Sequence, residues 1–320
     1  MGEETTFRHA IRSALADELE ADAAVVLLGE DIGDAGGVFK VTEGLQARFG
    51  TDRVRDTPIS ETAIIGAALG AAINGLRPVA ELMFADFAGV AWDQLANQVP
   101  KFRYMTGGQV SVPMTVRAVA GAGFGFAAQH SGSPEAWFMH VPGWRIVAPS
   151  TCHAAYWLTR AAVRSADPVL VLEHKMLYGL KGVVGDDPVP IGASVNRHQG
   201  DDATVVATMA MVAKAVEVAE EMAGDGLALD VIDLQTLAPL DLDPILESAE
   251  RTGRLITVEE APPTCGWGAE VVSWIVERAD RPIRVRRVTA PNTPIPFAPN
   301  LEHDWIPQPD DITAAVRSLL

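Results

Sequence analysis

Apolar and polar positions divide this chain into alternating strand-like and helix-like runs. Between residues 5 and 20, Phe7, Ile11, Ala14, Leu15 and Leu19 recur at helical spacing with arginine and glutamate between them. That pattern predicts an amphipathic helix capped at Thr5 or Thr6. Residues 23–28 are an unbroken apolar run of strand length, which suits the interior of a parallel sheet covered on both faces. Residues 77–83, 109–117, 144–148 and 168–173 read as further strands. Helices are predicted over 42–49, 61–74 and 150–164, over 84–104 as one continuous run, and from Ser133 to His140. Residues 178–199 are rich in Gly and Pro and lack periodicity. The alternation then restarts, with strands at 203–208, 227–233, 254–259 and 283–288 separated by helices. The expectation is an α/β protein of two α/β domains, residues 1–180 and 201–320, joined by a linker at 181–200. The second domain should hold four strands in a largely parallel sheet.

One stretch organises the first half. In Arg55-Asp-Thr-Pro-Ile-Ser-Glu61, Pro58 pushes Thr57 into an extended conformation and Ser60 stands where a helix N-cap belongs. The following run, Thr-Ala-Ile-Ile-Gly-Ala-Ala-Leu-Gly-Ala-Ala-Ile, has no charged face, so its helix is expected to be buried. Glu61 has two readings. It is a first-turn acid that favours the helix dipole, or a desolvated acid or base held rigidly at a helix mouth.

Other candidates lie where predicted strands end, the ligand-bearing edge of an open α/β sheet. Glu30 and Asp31 follow the first apolar strand; either is a solvated loop acid or lines a pocket. Phe84 and Phe87 share a face, which by spacing means core packing. His130 precedes the Ser133-Pro134-Glu135 helix start and reads as structural or as an active-site imidazole. Asp34-Ala-Gly-Gly37 is not a phosphate loop, since no Gly-Lys-Ser/Thr follows, and Gly121-Ala-Gly-Phe-Gly125 is not Gly-x-Gly-x-x-Gly and precedes no clear helix start.

Composition adds exclusions. A chain of 320 residues is long enough for two cores, and none of its apolar runs approaches the ~20 residues needed to span a bilayer. The N-terminus is acidic, without a signal core, so the protein reads as cytoplasmic and its two cysteines as reduced. A net charge of −17 opposes binding to nucleic acid.

The blocks Asp56-Thr-Pro-Ile-Ser-Glu61, Gly29-Glu30-Asp31 and Phe84-Ala-Asp-Phe87 occur in order, and the chain resembles, from about Phe7 to its C-terminus, the β subunit of 2-oxo acid dehydrogenase E1 components. These are thiamine-diphosphate enzymes of the transketolase type. The resemblance implies an N-terminal pyrimidine-binding domain and a transketolase-type C-terminal domain. It implies that Glu61 hydrogen-bonds N1′ of the aminopyrimidine, that Phe87 stacks on the ring, that Glu30 lines the pocket and that His130 handles protons near substrate. It further implies a structural potassium ion, at Met114, Ala162, Val163 and Asp167, although Ser165 and Asp167 stand where the family often has Asp and Asn.

Gly224-Asp-Gly226 copies the opening of the family's metal motif, but no Asn follows at the required distance and the tripeptide sits after a helix; it reads as a C-cap turn. Mg²⁺ is therefore expected on a partner E1 α subunit, and the resemblance implies an α2β2 heterotetramer that passes acyl groups to a lipoyl acyltransferase E2. Pyruvate or a branched-chain 2-oxo acid is the expected substrate. The alternatives are an acetoin dehydrogenase β subunit, which Leu177-Tyr-Gly-Leu-Lys-Gly182 and Pro294-Ile-Pro-Phe297 favour slightly, and a non-catalytic scaffold that docks an acyltransferase core.

Overall fold

A computed structural model describes residues 4–320. The first half runs β1 (Glu4–Thr6), α1 (Phe7–Ala21), β2 (Val25–Gly29), α2 (Leu45–Phe49), β3 (Val54–Asp56), α3 (Glu61–Ile73), β4 (Arg77–Leu82), α4 (Phe102–Met105), β5 (Thr115–Ala120), α5 (Glu135–Met139), β6 (Arg145–Val147), α6 (Cys152–Arg164), β7 (Val169–His174) and β8 (Lys181–Val183). The second half runs β9 (Val195–His198), β10 (Ala203–Ala207), α7 (Ala210–Gly224), β11 (Leu229–Asp233), β12 (Thr236–Ala238), α8 (Asp243–Thr252), β13 (Arg254–Glu259), α9 (Trp267–Arg278), β14 (Arg284–Thr289), α10 (Pro299–Trp305) and α11 (Pro309–Arg317).

The unbroken apolar runs become parallel strands, as double-sided burial requires. A seven-stranded sheet has the order β12-β6-β7-β5-β4-β2-β3, and every residue of β5 and β7 is buried. The amphipathic α1, capped by Thr6, lies against α6, with Phe7, Ile11 and Leu15 in the core. The second sheet has the order β14-β13-β10-β11-β9. Its four parallel strands match the four expected, and β9 adds an antiparallel edge. The Gly224-Asp-Gly226 turn closes α7 with Gly226 at φ +79.

Several details differ from the sequence reading. The segment 181–200 is not free of structure: β8 pairs with β1, and β9 joins the second sheet. β12 crosses back to pair with β6, so the second half closes the first half's sheet. The helix expected over 84–104 is broken into a 3₁₀ turn at Ala85–Gly89, a π-helical turn at Asp93–Gln98 and α4, with Pro100 ahead of the last piece. Thr151, not Ser150, caps α6; the Ser150 hydroxyl instead donates to Asp233 in the second half. Ser60 occupies the N-cap position of α3 but makes no side-chain bond there.

The helix α3 buries Ile64, Ile65, Ala68, Leu69 and Ala72, while Thr62, Ala63 and Ala67 face outward. Expected to be buried all round, it shows one bare face. Alanine methyls carry little area, so leaving them exposed costs little. Among the described residues no helix is long and apolar enough to cross a membrane.

Candidate active site

Five chain segments converge at the carboxyl ends of the parallel strands. Gly29-Glu30-Asp31 leaves β2, Asp56-Thr57 leaves β3, Glu61 opens α3, Phe84 follows β4, and the glycine loop leading to His130 follows β5. The first two are tied together. The Gly33 amide donates to Asp56 Oδ1 at 2.6 Å, and the Thr57 amide donates to the Gly29 carbonyl at 2.9 Å. A Cβ on Gly33 would collide with the Asp56 carboxylate, so close approach fixes that glycine.

Glu30 and Glu61 are each only 7 % exposed. Burial pushes the Glu30 carboxyl above its ordinary range, and Glu61, Asp31 and Glu81 push it further the same way. The charges that act on it most are thus other carboxylates, and its buried Oε1 has no hydrogen-bond partner. Asp31 is exposed.

Phe84 is buried and Phe87 half-buried, their rings edge-on at 5.6 Å. The His130 ring stands edge-on to both, 4.8 Å from Phe84 and 5.3 Å from Phe87. The structure therefore brings Phe87 and His130 together and places Glu30 within the field of Glu61. His140 is exposed, away from this cluster.

Beneath Glu30 lies an ion network that sequence reasoning did not find. Arg117, 2 % exposed, donates to both oxygens of Glu173 at 2.6 and 2.7 Å and to Glu81 at 2.6 Å; the Tyr178 hydroxyl donates to Glu173 at 2.8 Å. Burial pushes the Glu81 carboxyl up while Arg117 pulls it down. The signal was present: Arg117 and Glu173 are charges inside otherwise apolar strands, where a pattern of burial demands a partner.

The His130 loop also escaped notice as a unit. Lys175, 1 % exposed, donates to the carbonyls of Gly121 and, at 2.7 Å, His130. From the second half, Glu260 accepts the Ala122 amide at 2.6 Å, and Glu302 accepts the amides of Gly123 at 2.9 Å and Gly125 at 2.8 Å. No local pattern marks either glutamate, because the contacts span more than a hundred residues.

These groups have the chemistry to hold a flat, amino-bearing heterocycle. It would meet the unpartnered Glu30 oxygen, the buried Glu61 carboxyl and the half-open ring of Phe87. No triad of His, Cys, Asp and Glu suited to a metal ion occurs among the described residues, and Asp225 of the Gly224 turn pairs with Arg317 at 3.0 Å.

The four residues associated with potassium lie at the C-terminal end of α6 and the start of β5. There the carbonyl of Met114 accepts from Val169, that of Ala162 from Ser165 and that of Val163 from Arg77. Asp167 pairs with Arg103 and Arg145. Three guanidinium groups, those of Arg77, Arg103 and Arg145, already supply positive charge there.

A separate cavity of about 630 Å³ lined by Asn196, Asp230, Ser248 and Arg251 lies at the opposite, amino ends of the second sheet's strands. Its polar groups bond one another: Asn196 donates to Asp230 at 2.6 Å and Arg251 to Asp230 at 2.6 Å.

The two α/β domains, with carboxylates and aromatic rings gathered at the carboxyl edge of the first sheet, define a transketolase-type subunit. The comparisons agree. Residues 3–181 match the transketolase pyrimidine-binding domain and residues 192–312 the transketolase C-terminal domain. The chain is 43% identical to the β subunit of an acetoin:2,6-dichlorophenolindophenol oxidoreductase from Cupriavidus necator, covering 100% of this chain and 98% of that one. It is also 43% identical to the pyruvate dehydrogenase E1 β subunit of Leifsonia xyli subsp. xyli (97% and 93% covered) and to the 2-oxoisovalerate dehydrogenase β subunit of Bacillus subtilis (97% of each). A solved split-gene transketolase, described as an inactive beta4 tetramer, superposes with a TM-score of 0.83 at 25% identity over 98% of each chain. The chain belongs to the family of E1 β subunits of thiamine-diphosphate-dependent 2-oxo acid dehydrogenase complexes.

Proposed function

We propose that this chain is the β half of an E1 enzyme that oxidatively decarboxylates a 2-oxo acid, pyruvate or a branched-chain acid, and passes the acyl group to the lipoyl arm of an E2 acyltransferase. One observation carries the reading: two buried glutamates, Glu30 and Glu61, lie in each other's field, the leading charges on Glu30 are carboxylates, and one of its oxygens lacks a partner. A structural pair would have been given a cation.

Thiamine diphosphate, when bound, supplies the carbon nucleophile and the electron sink. Glu61 would hold its pyrimidine N1′ through a hydrogen bond, rigidly because the carboxyl sits in the first turn of α3. Burial and the neighbouring Glu61 bias Glu30 toward its neutral form. Phe87 offers the ring a flat face, and His130 is the proton-handling group nearest that face. The diphosphate and its Mg²⁺ fall to an α subunit, since no Asn follows Gly224-Asp-Gly226 at the distance that the family's metal motif needs.

A second reading keeps the cofactor and changes the substrate. Equal identity to acetoin, pyruvate and 2-oxoisovalerate enzymes favours no branch, and acetoin cleavage would use the same carboxylates. The need for a second chain accords with the structural neighbour, whose β-only tetramer is described as inactive.

The test is co-expression with an α-type chain, purification on a tag carried by this chain, and an assay of acceptor reduction with pyruvate, branched-chain 2-oxo acids and acetoin in parallel. Activity that needs both chains, thiamine diphosphate and Mg²⁺ is expected, and the best substrate names the branch. Turnover by this chain alone would sink the split-site reading.

A further inference from the structure

The ten residues from Gly121 to His130 form a loop whose peptide groups are sorted by sign. Its two terminal carbonyls, Gly121 and His130, both accept from the Lys175 ammonium. Three of its early amides, Ala122, Gly123 and Gly125, donate to Glu260 and Glu302. One cation thus closes the loop from the first domain, and two carboxylates hold it from the second. Gly121, Gly123 and Gly125 all take positive φ, and a Cβ on Gly121 would collide with the His174 ring, so the backbone path leaves no slack.

All of the anchors are buried. Lys175 lies 5.8 Å from the Phe84 ring centre and 5.9 Å from that of Phe126. The charged groups facing it are Glu260, Asp86 and Glu302; burial lowers its pKa to about 8, against the pull of those three carboxylates. Asp86 in turn accepts the Gly132 amide at 3.1 Å, just beyond His130, and His174 bonds Glu260 at 3.0 Å. Neither Lys175 nor Glu302 pairs one to one with an opposite charge. Each spends its hydrogen bonds on loop backbone, which is how a protein fixes a loop rather than how it stabilises an ion pair.

We propose that Lys175 and Glu302 are positioning residues for His130, and that the C-terminal domain, through Glu302, sets where the imidazole stands beside Phe84 and Phe87. Neither side chain touches the crevice between Glu30 and Glu61. The functional half of this proposal rests on the E1 reading above; the structural half does not.

The test uses the full chain and its two-chain complex, with Lys175→Met and Glu302→Gln. Hydrogen exchange followed by mass spectrometry on the full chain should show residues 121–132 exchanging about tenfold faster or more in Lys175→Met, with the rest unchanged. Glu302→Gln should show a smaller increase in the same segment. In the complex, kcat should fall about ten- to hundredfold while KM for the oxo substrate stays within about twofold, because the imidazole is misplaced and the binding contacts are intact. Unchanged exchange across 121–132 in Glu302→Gln would overturn the proposal even if Lys175→Met failed to fold. So would a rise in exchange spread over the whole chain, which marks an ordinary structural role. If the wild-type complex turned over no oxo acid or acetoin, the E1 reading would fail while the exchange result still decided the loop's anchoring.

Discussion

Buried carboxylates are held in opposite ways at the strand ends of the C-terminal domain and at Glu30 and Glu61 in the N-terminal one. In the C-terminal domain, Asp233 is fully buried and accepts from Arg197 at 2.7 and 3.0 Å, from Ser150 and from the Gln235 amide. Glu259, also fully buried, accepts from Arg287 at 3.0 Å and from the Gly268 amide. Burial pushes both carboxyls up, and those partners pull them back down. At the carboxyl edge of the N-terminal sheet, Glu30 and Glu61 are both buried, and the leading charges on Glu30, from Glu61, Asp31 and Glu81, all raise its pKa. Satisfied acids hold a domain together. Unsatisfied acids cost stability and persist where a ligand completes them.

Removing a partner in the C-terminal domain sharpens that contrast most. Arg287→Met leaves Glu259 buried without its cation and should cost about 3–5 kcal/mol of stability, read by denaturant unfolding. A loss under 1 kcal/mol would show that the pair is not what holds that corner. Arg117→Met tests the same rule inside the N-terminal domain, where Glu81 and Glu173 would both be stranded; the expected loss is of similar size.

Glu135 gives a pH handle on an unsatisfied acid. Burial pushes its carboxyl from 4.5 up to about 8, with Glu260 and Glu259 adding to the effect and its own backbone amide opposing it. A raised folded-state pKa means that the folded chain keeps a proton that the unfolded chain loses. Its contribution is whole below about pH 4.5 and is lost as pH climbs to about 8, at about 1.4 kcal/mol per pH unit. Glu135→Gln should flatten the fall in unfolding free energy over that window, and an unchanged slope would count against a buried neutral carboxyl. The smallest effect is expected from Glu30→Gln. It should slow turnover of the two-chain complex by about tenfold and raise its melting temperature slightly, since a neutral amide replaces an acid under like-charge pressure.

Much of this was legible in the chain. The unbroken apolar runs specified parallel strands, and the restart of alternation near residue 200 marked the second sheet. Glu61 and Glu30 drew notice because they follow strand ends and open a helix with no other charge. What escaped was tertiary. Lys175, Glu260 and Glu302 act through backbone contacts with a loop far away in sequence. The bare face of α3 escaped because a helix lacking charge looks the same whether its second face meets its own core or another chain. The breaks between 84 and 104 escaped because Phe84 and Phe87 share a helical face, and nothing local marks the 3₁₀ and π-helical turns ahead of Pro100.

The contrast between the domains comes down to one substitution, Glu61→Gln, measured in the two-chain complex for both turnover and melting temperature. If Glu61 is kept for the cofactor, turnover should fall by about 10²–10⁴ while the melting temperature holds or rises. Retained turnover would contradict that account, and so would turnover lost together with a melting temperature lowered as far as that of Arg287→Met, which would make Glu61 one more structural acid.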